Sequence, residues 1–258
     1  MSRLLYADLA RMYGKRRFWL FATATVAIAA MFITMQFTAM DYEVPISRVI
    51  FLPMSFYGVL IAALISLFVG DDFSDGVIRN KIVAGRSRHA IYLSNLTTVW
   101  SACLVLYLIS ATVTIGVGIF LFEIDISAKK FFIYLALGIF TSMAYGSIFC
   151  TLSMLFGNKS SAVMFCMALA FFLLCMCLHT NQIMVQQEYK NGIRNPLYAE
   201  GVRRLIYSLL HDLNPSGQAA QLSSMEYFNV FRWICCDLFW ILISIVPGPI
   251  LFYKKDVK

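Results

Sequence analysis

Six stretches of this sequence, residues 18–40, 50–70, 96–122, 131–156, 160–178 and 230–253, are each long and apolar enough to cross a lipid bilayer. A hydrocarbon core roughly 30 Å thick is spanned by about 20 residues of helix. No water is available there to satisfy an open backbone, so each stretch is expected to be a helix with its hydrogen bonds closed internally. The expected fold is therefore all-α: a polytopic membrane protein forming a single transmembrane domain over residues 1–258. Composition agrees, with 60% hydrophobic residues against 14% charged and a mean hydropathy of +0.74. A soluble chain of this length needs far more charge to cover its surface. The tightest joint is Gly157-Asn158-Lys159-Ser160, which leaves only a short turn between the fourth and fifth runs.

The formal net charge of +7 does not indicate nucleic-acid binding, because the basic residues lie between apolar runs and not on one soluble face. Their distribution instead gives a direction. With the N-terminus in the cytosol, thirteen lysines and arginines fall inside and eight outside, and the net charges become +8 and −1. By the excess of Lys and Arg in cytoplasmic segments, both termini are expected in the cytosol and the chain in a cell membrane, a bacterial plasma membrane in particular. Ala27-Ile28-Ala29 looks like a signal-peptidase site, but the apolar run continues past it to Met40, so an uncleaved first span is expected. The seven cysteines fall almost entirely inside the apolar runs and include no CxxC pair, which fits small packing residues better than disulfides or zinc.

Two polar-facing segments flank the spans on the expected cytosolic side. Residues 3–16 place Leu5, Leu9 and Met12 along one face, with Arg3, Asp8, Arg11 and Lys15 largely opposite. That pattern predicts an amphipathic interfacial helix with its basic face toward anionic headgroups. The segment 71–93 opens with Asp71, Asp72 and Asp75 and continues with Arg79, Lys81, Arg86 and Arg88. Asp75-Gly76 is expected to stop the second span, Val77 to Val83 to form a short helix, Gly85 to end it, and Ser87 to cap the next span.

This order of residues resembles the loop between the second and third spans of ABC-2-type ABC transporter permeases. In that family an E-x-x-x-G-T element precedes a coupling helix that docks on the ATP-binding subunit. Asp72 and Gly76 match the acid and the glycine, and Ser87 and Arg88 match the small-residue–Arg step before the third span. Val77 stands where the family usually has Thr, and Asn95 where a Lys often follows. The layout is similar as well: an N-terminal elbow helix, six spans and a long loop before the last. The resemblance implies that Asp72, Asp75, Gly76, Val77, Ile78, Arg79, Lys81, Arg86 and Arg88 form the ATPase-coupling site. It implies a dimer of permeases, homomeric or heteromeric, with two copies of an ATP-binding subunit that carries ATP and Mg, and no cofactor on this chain. Export of a hydrophobic peptide, an antimicrobial or a lipid-like molecule follows by analogy. The alternative is an ATPase-independent channel or membrane scaffold.

The long segment 180–229 is expected on the outer side. Residues 202–213 are amphipathic but too short to span, Leu213-Asn214-Pro215-Ser216-Gly217 breaks them, and residues 218–224 begin a second short helix. Short re-entrant helices of this kind resemble those before the last span of the family. Asp237 is the one acid well inside a span, where a charge costs about 2.5–3.5 kcal/mol on insertion scales. It is expected either to be a gate or substrate contact or to form a structural ion pair with Arg203 or Arg204. In the fourth span Gly138, Ser142, Gly146 and Cys150 line one face, which predicts close internal packing or a dimer seam. The aromatic residues are expected mostly at lipid or interface positions. No P-loop, G-x-S-x-G or H-E-x-x-H pattern is present, and His89, His179 and His211 are far apart, so no enzyme is indicated.

Overall fold

A computed structural model describes residues 2–39, 44–186, 188–190, 193–195, 198–225 and 229–253. Met40 and the C-terminal Lys254, Lys255, Asp256 and Lys258 of the charge count lie outside the described residues, as do the side chains of Lys190 and Arg194.

The elements run in chain order α1 (Ser2–Gly14), α2 (Arg16–Ala39), a 3₁₀ turn (Ile46–Arg48), α3 (Met54–Ser74), α4 (Val77–Val83), α5 (Arg88–Leu121), α6 (Ala128–Leu155) and α7 (Lys159–Met184). A two-residue antiparallel pair, β1 (Tyr189–Lys190) and β2 (Ile193–Arg194), precedes α8 (Gly201–Leu213) and α9 (Pro215–Ser224). The last crossing is α10 (Val230–Ile245) followed by α11 (Pro247–Tyr253). Six helical segments, Arg16–Thr38, Met54–Ser74, Arg88–Leu121, Ala128–Leu155, Lys159–Met184 and Val230–Tyr253, are long and apolar enough to cross a membrane. The chain is a helical, multi-pass membrane protein.

Several expected boundaries shift, each for a local reason. The second span begins at Met54 and not at residue 50, because a 3₁₀ turn and further turns lead into Pro53, which has no amide hydrogen to donate. It also runs beyond residue 70, carrying Asp71 and Asp72 inside its last turn. The third helix starts at Arg88, well before the apolar run at 96, because the Ser87 side chain accepts the Ala90 amide and caps it there. In the last crossing Pro247 divides one apolar run into two helices.

The helices alternate between two ends. Lys15 and Lys159 both pair with Asp71, at 3.1 and 2.8 Å, and Arg88 Nη1 donates to the Tyr253 carbonyl at 2.9 Å. These contacts gather the starts of α2, α5 and α7 and the ends of α3 and α11 at one basic end, the turn at residues 157–159 included. At the opposite, hairpin end the Ile46 amide donates to the Glu123 carbonyl at 2.9 Å, and Ser47 Oγ donates to Asp125 at 2.6 Å.

Helix α3 is the central one: 72% of its apolar window is buried, against 28% for α2, α7 and the last crossing. Close approach is achieved with glycine. A Cβ on Gly58 would lie 2.7 Å from the Tyr145 ring, and one on Gly138 only 2.2 Å from the Tyr107 hydroxyl. The stripe Gly138, Ser142, Gly146 and Cys150 is buried inside the bundle, with Gly146 against Cys103, Trp100 and Val99 of α5. Internal packing is thus its role. Five tyrosines depart from the expected lipid and interface positions: Tyr57, Tyr92, Tyr107, Tyr134 and Tyr145 are all buried. Each finds an oxygen partner for its hydroxyl, among them Cys103 O, Thr151 Oγ1, Leu135 O, Met225 O and Ser216 Oγ. A tyrosine can therefore fill a core that phenylalanine would fill with less specificity.

Helices α8 and α9 form a hairpin wedged among α3, α6 and α7. Its tip is Asn214, whose side chain accepts the Ser216 amide and donates to the Leu173 carbonyl at 2.8 Å. Trp240 Nε1 donates to the Leu213 carbonyl at 2.8 Å, and Tyr145 OH to Ser216 Oγ at 3.0 Å. Leu173 and Trp240 each lie ten or so residues from the hairpin-end termini of their helices, Met184 and Val230, which puts the tip about 15 Å deep in the bundle. The second short helix starts at Pro215, three residues before the expected 218, because a capped Asn followed by Pro at the first helical position is a ready helix start.

Candidate functional site

The basic end concentrates the charge chemistry. Helix α1 buries Leu4, Asp8 and Met12, spaced four apart, against the bundle. Its inner face is therefore not purely apolar: Asp8 is 1% exposed, and it accepts hydrogen bonds from Lys81 Nζ at 2.6 Å and Ser94 Oγ at 2.7 Å. Arg11 bridges Asp8, at 3.2 Å, to Asp72. Asp71, one residue earlier in α3, collects Lys15, Arg17 and Lys159. Three carboxylates thus hold five cations drawn from α1, α2, α4 and α7, with the approach to α2 supplied by Lys15.

This arrangement corrects the expectation for α1. Arg11, Lys15 and Asp8 turn into the protein and meet Asp71 and Asp72, while Arg3 and Arg16 remain at the surface. The physical reason is that Asp71 and Asp72 end a span at the membrane boundary. Carboxylates so placed are costly unless paired, and the cations of α1 are within reach.

Helix α4 is held as a knob on this network. Gly76 precedes it with φ +66° and Gly85 follows with φ +78°, both in the left-handed region where glycine carries no Cβ penalty. Ile78 is fully buried, Val77 is half-buried, and Lys81 reaches back to Asp8, so these three anchor the helix. Arg79, Asn80, Val83 and Arg86 are exposed, with Val83 at 80%. Asp75 is exposed and caps the end of α3. Arg88 is tied to Tyr253, through the carbonyl and across the ring at 5.9 Å. The structure thus brings Asp72, Asp75, Gly76, Val77, Ile78, Arg79, Lys81, Arg86 and Arg88 to one end of the bundle, together with Asp8, Arg11 and Lys159, which sequence spacing alone does not join to them. A signal for Asp8 was present: it is the acid in the middle of the Leu4, Asp8, Met12 spacing.

Asp237 stands apart from this group. It is 0% exposed in α10, facing Gln218 of the hairpin, Thr141 of α6 and Trp233 of its own helix, and neither carboxyl oxygen makes a hydrogen bond of good geometry. The expected ion pair with Arg203 or Arg204 is not formed. Arg203 lies over the Tyr207 ring and Arg204 over the Tyr198 ring, at 5.9 and 4.5 Å. At the hairpin end the ion pair is instead Arg232 with Asp212, and Arg232 also donates to Ser208. Arg232 sits in the first turn of α10, beside Asp212 and Ser208 of α8.

Among the described residues no group of three or more His, Cys, Asp and Glu side chains gathers closely enough to hold a metal ion. No protein-family model matches the chain, and no curated protein matches it.

Proposed function

We propose that the chain is the membrane-spanning permease subunit of an ATP-driven ABC transporter of the ABC-2 type, working as a dimer with two ATP-binding subunits. The observation that carries this reading is α4: a seven-residue helix between two left-handed glycines, braced from behind by Ile78 and by Lys81 on Asp8, with Arg79, Asn80, Val83 and Arg86 facing outward. A rigidly mounted knob transmits a push from a soluble partner to the helices behind it. Here the load path runs through Asp8 and Arg11 into α3 and α5, two elements whose relative position a nucleotide-driven partner can bias. In this reading the basic end is cytosolic, both termini lie there in the plasma membrane, and ATP and Mg are held by the partner.

The α8–α9 hairpin fits an outer, re-entrant closure of the route. Helix α8 is inside-out relative to a helix in water: Ser208, His211 and Asp212 are buried, while Val202, Leu205, Ile206 and Leu209 are exposed. An apolar outer face of that kind suits hydrocarbon. The buried Asp237 beside Gln218, one turn from the hairpin tip, is then a gate or substrate contact, in a path suited to a hydrophobic peptide, an antimicrobial or a lipid-like substrate.

The test is co-expression with the ABC ATP-binding subunit encoded beside the chain. Arg79→Glu and Val83→Asp, both on the exposed face of α4, are expected to abolish co-purification and the permease-dependent part of ATP turnover while leaving thermal stability unchanged. Undiminished binding and turnover in both variants, or the absence of any such neighbouring subunit, overturns the reading.

A further inference from the structure

A cavity of about 650 Å³ lies at the hairpin end between α7, α8 and α9, lined among others by Asn181, Met184, Arg204, His211, Gln221 and Ser224. Small-molecule sites typically enclose about 300–1,000 Å³. The volume thus suits a ligand larger than a simple ion.

Arg204 gives the cavity its chemistry. Its guanidinium lies 4.5 Å over the Tyr198 ring, and Nη2 reaches the Met184 carbonyl at 3.5 Å, a long contact. Nη1 is buried and has no hydrogen-bond partner. A buried, charged donor without an acceptor is costly, and native proteins rarely leave one so. Arg204 lines the cavity, and a guanidinium pairs with the oxygens of a carboxylate or phosphate through charge-assisted hydrogen bonds. The other lining groups are neutral donors and acceptors: Asn181, Gln221, Ser223 and Ser224. Burial pushes the pKa of His211 below its ordinary value. Glu188 is the one carboxylate among the described lining residues and is exposed, placed to meet an ammonium or hydroxyl on the same ligand.

The surroundings add hydrocarbon. Val185 is 70% exposed and Val202 73%, and Leu205, Ile206 and Leu209 continue the open apolar face of α8. Val185 itself lines the cavity, so hydrocarbon on a ligand seated there has an apolar side chain to pack against.

We propose that the cavity is a binding site for a phosphate ester, either the headgroup of a phospholipid or a soluble ester of the same chemistry, with Arg204 as its anion-binding residue. The site is separate from the ATPase-coupling end and stands whether or not that reading holds.

Binding is measured on the full chain in detergent by titration with dihexanoyl-phosphatidylethanolamine, with glycerophosphoethanolamine and with inorganic phosphate. Arg204→Gln is expected to weaken whichever probe binds by roughly 10- to 100-fold, the equivalent of one charge-assisted hydrogen bond, and Arg204→Lys to weaken it less. Short-chain lipid binding at least about tenfold more tightly than glycerophosphoethanolamine assigns a lipid headgroup. Equal binding of the two assigns a soluble ester. Should Arg204→Gln not fold, Asn181→Trp, at an exposed lining position, fills the cavity and is expected to remove binding. The proposal is overturned if no probe binds, or if binding is unchanged by whichever of the two variants folds.

Discussion

Lys81 of α4 and Asp8 of α1 meet at 2.6 Å across a sequence separation of seventy-three residues, both largely withdrawn from solvent. The contact makes the N-terminal helix a brace for the knob at the basic end. Breaking a buried ion pair on one side leaves the other charge unpaired and costs about 3–5 kcal/mol, whereas replacing both partners with apolar groups is often neutral. Asp8→Asn is therefore expected to lower the thermal midpoint of the detergent-solubilised protein by several degrees. The double variant Asp8→Leu/Lys81→Met is expected to recover most of that loss. Equal destabilisation in the two would mean that Asp8 acts through Ser94 and Arg11 alone.

Gly76 and Gly85 hold the two turns that set the angle of α4, at φ +66° and +78°. A Cβ in the left-handed region costs roughly 1–2 kcal/mol, although neither glycine has a neighbouring atom within 4 Å to clash with. Gly76→Ala and Gly85→Ala are expected to destabilise by that amount, and Gly76→Asn by less. Gly76→Pro is incompatible with the backbone angle and also removes the amide that donates to the Phe73 carbonyl at 3.2 Å. Denaturation midpoints across the four variants give the order.

The hairpin tip has no room for a side chain at Gly217. A Cβ there would lie 2.1 Å from the His211 carbonyl oxygen, a backbone atom that cannot swing away. Gly217→Ala is expected to cost at least about 1–3 kcal/mol through overpacking. Gly146→Ala meets side chains at 3.1 Å and beyond and is expected to cost less. Proteolysis of the 201–225 segment should rise in the first variant and not in the second.

His211 links stability to pH. Burial lowers its pKa from the ordinary 6.5, and its Nδ1 shares a 2.9 Å hydrogen bond with Thr180 Oγ1. Because the folded state resists protonation, the unfolded chain binds the proton first as pH falls. Stability is then full above about 6.5 and is lost progressively below it, down to the folded pKa. Between pH 7.5 and 5 the wild-type melting temperature is expected to fall more steeply than that of His211→Gln. Parallel slopes would remove His211 as the source.

Sidedness is testable with membrane-impermeant thiol reagents. Val83→Cys, exposed on α4, is expected to react only from the cytosolic side of the membrane, and Ile124→Cys, exposed at the hairpin end, only from the other. Reaction of both from one side would contradict the alternation of helices.

The sequence by itself determined the membrane class, the six crossings and the turns around α4. Each rests on local information: twenty apolar residues in a row, a glycine where φ must be positive, a serine or asparagine where a helix amide needs an acceptor. Asn158 and Ser87 cap their helices as their spacing indicates. What only the tertiary structure decided was which charges meet. The basic arc of α1 read as a surface for headgroups, yet Arg11 and Lys15 find Asp72 and Asp71 instead, because a carboxylate at the end of a span gains more from a cation than a lipid surface does. Likewise Asp237 faces Gln218 and Thr141, not an arginine, because the hairpin that carries Arg203 and Arg204 turns them toward tyrosine rings away from its tip. Helical periodicity reports which residues share a face. The partner that face meets depends on contacts between distant parts of the chain, as in the pairing of Asp8 with Lys81, and these exist only once the bundle has closed.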